Sequence, residues 1–359
     1  MFLTNFIVVI ITLISTFSGY FDSKHFWLIS LIGLAFPFLF IINILFIFYW
    51  ILIKPKLLVL SLITILLGTN IALRYYKVGS DNEKKEEQKQ TLKVMSYNVR
   101  LFGLYDYYPD WSYNFDSRNN ILKYIKNESY DIMCFQEAYY DDKNEFLSID
   151  SIQKLFPNYH IGHHTITKLY GNSNWGAIII SKYPIINQSK SLYKDIKSNN
   201  VGFYVDIKYN NDTIRVYNCH LQSIKLDDKD YEAIRRFDKK TIFEKLTKTL
   251  YKFKIAYEIR SQQINALTNS IKESKYPVIM CTDLNDTPNS FAYTEIKSYL
   301  NDSFVKSGKG FSKTYINFIP FLKIDYIFYS KHFESKKFET DKKNKYSDHY
   351  PIKCELVLK

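Results

Sequence analysis

Cysteine is scarce. Cys134, Cys219, Cys281 and Cys354 are the whole supply, and no two have the C-x-x-C spacing of a metal knuckle. Each lies in or beside an apolar, strand-like run, which fits buried free thiols, and a disulfide framework would be odd in a domain this large. Arginine is scarcer still beside lysine, 7 against 41. The basic character is therefore a compositional bias and not an Arg-rich reading surface. No internal repeat is evident, which sets solenoids and propellers aside. Charge is absent from three long apolar stretches, Phe2 to Ser18, Phe26 to Ile53 and Leu57 to Leu73. That absence argues against a channel or transporter, whose path needs polar or ionisable groups at membrane depth.

The same stretches say what is there. About 20 apolar residues cross a bilayer's hydrocarbon core, so all three qualify, the first and third near the short limit. None shows the polar face of a buried core helix in a soluble protein. A signal peptide is disfavoured for Phe2 to Ser18, since no Lys or Arg precedes it and no small-residue cleavage site follows. Residues 1–77 are expected to form a membrane anchor of about three helices. Pro37 is expected to kink the long second span. Trp27, Tyr49 and Trp50 sit where an interfacial belt would place them, and Asn43 and Asn70 are expected to bond between helices. Residues 78–90, charged and without an apolar run, read as a juxtamembrane linker. Lys24, Arg74, Lys77, Lys84 and Lys85 outnumber Lys54 and Lys56, which places the large domain on the cytoplasmic face of a multi-pass membrane protein.

The chain carries a net charge of +12, of which residues 78–359 hold +8, 43 basic against 35 acidic side chains. A mildly basic domain suits an anionic substrate or an anionic membrane surface. Within 91–359, strand-like runs alternate with helical ones. The strands are expected at Leu92 to Tyr97, Asp131 to Gln136, Trp175 to Ser181, Val201 to Tyr209, Thr213 to Cys219, Val278 to Cys281, Ile324 to Tyr329 and Ile352 to Leu358. An amphipathic helix is expected at Ser117 to Asn127, and a long Lys-rich one over Asp228 to Glu273, whose first half could form a flap. Short buried runs separated by turns and helices indicate an α/β domain with packed sheets.

Chemistry-bearing residues end these apolar runs. They are Asn98 in SYNVR, Glu137 in FQEA, His220 in NCHLQS, Asp283 in CTDLND, Asp325 in KIDY, and the adjacent Asp348 and His349 in YSDHYP. A carboxylate directly after a buried strand is costly unless it is exposed or coordinated. A carboxylate bonded to one imidazole nitrogen fixes the tautomer and leaves the other free for proton transfer, the expected relation of Asp325 to His349. His160, His163, His164, His25 and His332 match no such pattern and are expected on the surface or in loops.

In content and order these six segments resemble the endonuclease/exonuclease/phosphatase superfamily. The resemblance implies a four-layer fold of two packed mixed β-sheets flanked by helices. It implies Glu137 as the principal Mg²⁺ ligand, Mn²⁺ being possible, with Asn98 and Asp348 beside the same ion. Asp283 would activate the nucleophile or protonate the leaving group, and Asn285 would bind a phosphate oxygen. His220 would hold phosphate charge or donate a proton, and His349 would be general base or phosphate contact. Where many members carry a second acid after the Asn, this chain has Arg100, which could place a cation near the substrate phosphate. The segment from Asn174 through Ile185 resembles the family's G-x-A-I-x-S-(K/R)-x-P-I strand, where Gly176 would let backbone approach the site and Asn174 would touch substrate. Residues 308–315 resemble a loop preceding the Asp325 strand. Arg260 and Gln263, like an R-x-x-Q helix signature, are expected to pack and hydrogen-bond.

The expected activity is a membrane-anchored, Mg²⁺-dependent phosphoester hydrolysis, with a nucleic acid or a phospholipid as substrate. The bilayer is the expected partner, and no obligate protein partner is implied. A phospholipid or sphingomyelin-type phosphodiesterase is the closest alternative. A non-catalytic membrane module of the same fold is disfavoured because no catalytic group is missing.

Overall fold

The computed structural model describes residues 1–79, 91–169, 171–224, 242–317 and 319–359. The expected linker, from residue 80 on, and the first half of the expected flap lie outside the described residues. The chain divides into two compact units. One comprises Met1–Leu73, Gln222–Asn265 and Asn285–Ile296, and the other comprises Arg74–Leu221, Ala266–Leu284 and Lys297–Lys359.

The first unit contains helices α1 (Phe2–Phe17), α2 (Trp27–Leu34), α3 (Phe36–Ile53) and α4 (Leu58–Ala72). Three helical segments, Phe2–Tyr20, Phe36–Ile53 and Pro55–Ala72, are long and apolar enough to cross a membrane. The second apolar stretch is not one kinked helix. It breaks at Ala35, and Pro37 occupies the first turn of α3, where a missing N–H costs nothing. The residues that α1, α3 and α4 bury include a polar set, Asn5, Thr12, Asn43, Ser61 and Thr64, beside the apolar Val9, Phe36, Phe46, Trp50 and Ile71. Asn5 Nδ2 donates to Ser61 Oγ at 2.8 Å, Trp50 Nε1 donates to Asn5 Oδ1 at 2.8 Å, and Asn43 Nδ2 donates to Thr12 Oγ1 at 2.8 Å. Asn43 thus joins two helices as expected. Asn70 does not, because it is exposed. Trp50 is buried instead of belonging to an exposed belt, since its indole N–H is spent on Asn5. The long helix α7 (Ile242–Lys272) begins in this unit and ends in the other.

The second unit holds two six-stranded sheets. One runs β13 (Phe333–Thr340), β14 (Ile352–Leu358), β2 (Leu92–Asn98), β3 (Ile132–Asp141), β5 (Ser173–Ser181), β4 (His160–Leu169). The other runs β10 (Asn301–Asp302), β12 (Asp325–Tyr329), β9 (Val278–Asp283), β8 (Asp212–His220), β7 (Gly202–Tyr209), β6 (Ile185–Gln188). Both are mixed: β2 pairs parallel with β3 and β8 with β9, and the other pairings are antiparallel. A two-residue strand β1 (Tyr76–Lys77) pairs separately with β11 (Gly310–Phe311).

Period-two alternation sorts the strand residues onto two faces. Val94, Cys134, Ile179, Val205, Val216, Ile279, Ile327 and Ile352 fill the interior between the sheets. Met95, Tyr97, Met133, Phe135, Ile178 and Ile180 face the opposite way, packing with residues of α5 (Asp116–Glu128) and α6 (Ile149–Leu155). Each such side chain contributes about 1.5–3 kcal/mol by leaving water. On the other sheet's outer face, Tyr217 donates its hydroxyl to Ser270 O of α7 at 3.0 Å. The arrangement is the expected one, two packed mixed sheets flanked by helices. All four cysteines are buried free thiols.

Two edge strands, β4 and β13, lie outside the expected strands. His160, His163 and His164 belong to β4, and His163 Nδ1 lies 3.1 Å from the Tyr140 hydroxyl. β13 starts at Phe333, directly after His332. Both edge strands mix polar and apolar residues without a sustained apolar run, so the sequence pattern was weak. Gly176 has a different reason from the expected one: a Cβ there would strike the His164 carbonyl, so it admits the neighbouring strand β4 and not the site.

Candidate active site

Register brings the site together. His220 is the Cα partner of Asp283 across the parallel β8–β9 pair, and Asp283 is the partner of Asp325 across β9–β12. Three chemistry-bearing residues thus stand side by side on one sheet. His349, in the turn before β14, closes over this row: its Nδ1 lies 3.1 and 3.0 Å from the two oxygens of Asp325, and its Nε2 lies 3.8 Å from Asp283 Oδ2. Asp325 is held in turn. Its amide N–H donates to Thr314 Oγ1 at 3.1 Å, as does that of Ile324 at 3.0 Å. The segment of residues 308–315 therefore braces the strand that carries the dyad. Tyr315 packs its ring edge-on to His349 at 4.8 Å.

Glu137 reaches the row from the other sheet. It does not end a strand. β3 continues to Asp141, and Glu137 sits at a register shift between Phe135 and Ala138 with a φ of +47°. Such a bulge re-aims a side chain and costs backbone strain, a combination found beside functional sites. Its Oε1 lies 3.5 Å from His220 Nε2, and Asp283 Oδ2 lies 3.7 Å from that same nitrogen. Beneath, Asn218 Nδ2 donates to the carbonyls of Phe135 and Ile178, and Gln136 Nε2 donates to Asn218 Oδ1. These buried amides tie the two sheets together directly under the site.

Asn98, at the end of β2, donates through Nδ2 to Glu137 Oε1 at 3.1 Å and to Asp283 Oδ2 at 3.0 Å. Its Oδ1 accepts from the Arg100 N–H. A backbone N–H can only donate, so this bond sets the amide's orientation and turns its nitrogen toward the carboxylates. Asn98 meets them as a hydrogen-bond donor, and its oxygen is occupied elsewhere. The chain then turns through Arg100, Leu101 and Phe102 at φ of +43°, +54° and +57°. The Arg100 guanidinium is half exposed, 3.7 Å from Asp106.

Electrostatics divide the two inner groups. Burial raises the Asp283 carboxyl to about 6, and the neighbouring Asp325 charge adds to the rise, opposed by His349, His220 and Asn98. Burial lowers the His349 imidazole, but Asp325 and Asp283 outweigh it and lift the group to about 10. At neutral pH His349 is a buried cation paired with Asp325, and Asp283 is a carboxylate more basic than an exposed one.

Among the described residues two groupings can take a metal ion: Glu137 with His220 and Asp283, and Asp283 with Asp325 and His349. The first fits a divalent cation better. It gathers two carboxylates, one of them partly open to solvent, around His220 Nε2, which has no hydrogen-bond partner among the described residues and carries the ring proton, since Nδ1 faces the Asn200 amide nitrogen. In the second, His349 Nδ1 is already committed to Asp325. Asp348 belongs to neither grouping. Its carboxylate is partly exposed, accepts from Ser347 Oγ and lies 4.0 Å from His349 Nε2. Asn174 is buried away from the row, with Nδ2 donating to Asp142 Oδ1 and Asn172 O. Asn285, with a φ of +51°, belongs to the other compact unit.

Three supporting residues escaped the sequence. Asn200 Nδ2 lies 3.3 Å from His220 Nδ1, Ser347 Oγ donates to Asn98 O at 2.8 Å, and Tyr315 flanks His349. Ser347 and Tyr315 carried a signal, since they lie inside YSDH and the 308–315 segment, whereas Asn200 had none.

Residues 95–349 match the family model described as the Endonuclease/Exonuclease/phosphatase family, and residues 1–75 match one described as a domain of unknown function, DUF8431. Two curated sphingomyelinase C proteins from Bacillus cereus are 27% and 29% identical over 176 residues, 44% of this chain. The chain spans about half the length (51%) of these relatives. Among solved structures, an endonuclease/exonuclease/phosphatase from Bacteroides vulgatus aligns with a TM-score of 0.53 at 17% identity, covering 76% of this chain and all of that one. The human Nocturnin catalytic domain with bound sulfate aligns at 0.52 and 19%, covering 75% and 94%. These likenesses are of fold.

Proposed function

For a chain that belongs to the endonuclease/exonuclease/phosphatase family, we propose a membrane-anchored, metal-dependent phosphoester hydrolase acting on a phosphodiester at or near a bilayer. The observation that supports it most is the row His220–Asp283–Asp325 with His349 closed over it and Glu137 aimed in from a bulge. Glu137 and Asp283, with His220 beside them, would hold a divalent cation such as Mg²⁺ or Mn²⁺. Bound there, the ion would supply a Lewis acid for the phosphoryl oxygen and for water. Asp283 is the proton acceptor we assign to the attacking water, through the carboxylate oxygen that it does not give to the ion. His349, cationic and oriented by Asp325, offers its Nε2–H to a phosphate oxygen, where negative charge grows during attack. His220 contacts a second phosphate oxygen, and Arg100 offers an exposed guanidinium to an incoming anion. Asn98 holds the Glu137 and Asp283 carboxylates in place. Asn285 and Asp348 are assigned a phosphate oxygen and an outer position near the ion.

The three membrane-length helices and the likeness to sphingomyelinase C favour a lipid phosphodiester over nucleic acid. In this reading, residues 1–77 anchor the chain as a multi-pass membrane protein with the catalytic domain on the cytoplasmic face. The full chain in lipid nanodiscs, and its His349→Ala variant, would be offered sphingomyelin and glycerophospholipids against supercoiled DNA, with Mg²⁺ and then EDTA. EDTA-sensitive, His349-dependent release of a phosphorylated headgroup is expected. DNA nicking with the same dependence would make the chain a nuclease, and turnover indifferent to EDTA would remove the metal from the proposal.

A further inference from the structure

The turn between α1 and α2 is bonded to segments from far along the chain. Ser18 Oγ donates to Asn289 O at 3.0 Å, and Asn289 Nδ2 donates to Ser15 O at 2.7 Å, satisfying a carbonyl at the end of α1. Asp22 Oδ1 accepts from Ser261 Oγ at 2.6 Å, Ser23 Oγ donates to Tyr257 O at 3.2 Å, and the Tyr257 hydroxyl donates to Ser30 O at 3.4 Å. Gly19 fits against the helix α8 (Phe291–Lys297) and the residues before it: a Cβ there would strike Thr294 Oγ1 and lie 3.1 Å from Ser290 O. Ser18, Ser23, Ser261 and Asn289 are all buried.

The bonds continue. Arg260, one residue before Ser261, is buried with its guanidinium 4.5 Å over the Tyr257 ring. It donates to Asn285 O at 2.8 Å and pairs with Asp286 at 2.5 Å. The turn of residues 18–30, one face of α7 and residues 285–294 thus form one connected network. Residue 285 stands two positions after Asp283. A passive tether has no need of such bonds, because a flexible linker alone keeps a domain near a membrane.

We propose that the region matching the domain of unknown function positions the loop that follows Asp283, with Asp22, Asn289 and Arg260 as positioning residues. The proposal rests on the reading of Asp283 as part of the catalytic site. It also implies that residues 91–359 alone lack part of what orders that loop.

The test uses the full chain in nanodiscs. Gly19→Leu wedges the contact from the helical side, and Asn289→Ala removes the cap from the loop side without touching a membrane-length helix. Each is expected to lower kcat about tenfold with KM within twofold, since misplacement of catalytic geometry is felt in the chemical step. Amide exchange over residues 285–296 should accelerate. Gly19→Ala should show the same defect more weakly, and adding Thr294→Ala should restore it by removing the struck oxygen. If Gly19→Leu fails to fold, Asn289→Ala and the Gly19/Thr294 pair carry the same measurement. Unchanged kcat in Asn289→Ala, or faster exchange with full turnover, would overturn the positioning role while leaving His349-dependent activity in place. A wild type without His349-dependent turnover would overturn the catalytic reading, and the positioning claim with it.

Discussion

The two compact units bury different mixtures of residue, polar side chains beside Phe36, Phe46 and Trp50 in the helical one and mostly apolar ones in the sandwich. Inside the helical unit, α1, α3 and α4 meet through Asn5, Thr12, Asn43, Ser61 and Thr64, while Leu3, Leu45, Phe48 and Leu66 point outward. Inside the sandwich the order is the usual one, with Val94, Ile179, Val216 and Ile279 between the sheets. In the proposed bilayer setting, helices surrounded by hydrocarbon gain nothing by burying leucine, so small and polar side chains join them. A sandwich in water gains most from apolar burial and confines its polar groups to places where strands end. The sandwich makes exceptions, among them the buried Lys323–Asp302 pair and, at its functional edge, the floor and row of the site, where Asn218, Gln136, Asp283, Asp325 and His349 are buried. The latter marks where stability gives way to chemistry.

Breaking the row of the site should therefore cost most. His349→Ala is expected to lower turnover by about 10³–10⁴-fold, the size seen when a member of a hydrogen-bonded catalytic unit is removed. Cation affinity, measured by isothermal titration, should move little, because His349 is committed to Asp325. A large loss of affinity would transfer His349 to the metal's ligands.

The same pair should give the sandwich a pH signature. His349 is lifted to about 10, above its unfolded value near 6.5. Its contribution is therefore complete below pH 6.5 and lost as pH rises through about 10. Asp283, raised from 3.8 to about 6, acts in the same direction at lower pH, its contribution lost as pH climbs through 6. Removing one partner of a buried pair costs about 3–5 kcal/mol, so a denaturation series on Asp325→Asn at pH 6.5 should show a deficit of that order. By pH 10.5 the deficit should have mostly closed. Parallel curves for wild type and variant would mean that the pair is not ionised.

Glu137→Gln probes the link between the sheets. The change keeps the side chain's shape and removes its charge at the most exposed member of the Glu137–His220–Asp283 grouping. A 10–100-fold weaker Mn²⁺ affinity is expected, read from paramagnetic relaxation of bulk water. Affinity within twofold of wild type would leave the ion to other residues.

Much of this site was legible because β-sheet register turns sequence order into adjacency. CTDLND and KIDY each begin or end a strand, and strands that pair set Asp283 beside Asp325. His220 follows from the same rule, one strand further on. The bulge at Glu137 was not legible, since FQEA reads as a strand end while β3 runs on through Tyr139 and Tyr140. Nor was the role of Asn98 as donor, which depends on one backbone N–H two residues away. In the helical unit the apolar runs announced their length, but not the break at Ala35 nor the burial of Trp50, because a uniformly apolar helix carries no periodicity to show which face is inside.

The smallest expected effect is the most direct comparison of the two interiors. Asn218→Leu would remove a buried amide that donates to two carbonyls between the sheets and accepts from Gln136, whose Nε2 keeps its bond to Ser96 Oγ. Each unsatisfied group costs about 1–3 kcal/mol in such a place, so the loss should be at least that of one group. Asn43→Leu would remove one bond between helices, to Thr12 Oγ1, and one within α3, to Leu39 O. Side-chain hydrogen bonds between membrane helices average about 0.6 kcal/mol and reach about 1.7. Chemical denaturation in bicelles should therefore rank Asn218→Leu well above Asn43→Leu. An equal or reversed ranking would mean that the helical unit owes its cohesion to its polar seam as much as the sandwich does to its core, and that the hydrocarbon-facing reading of α1, α3 and α4 is wrong.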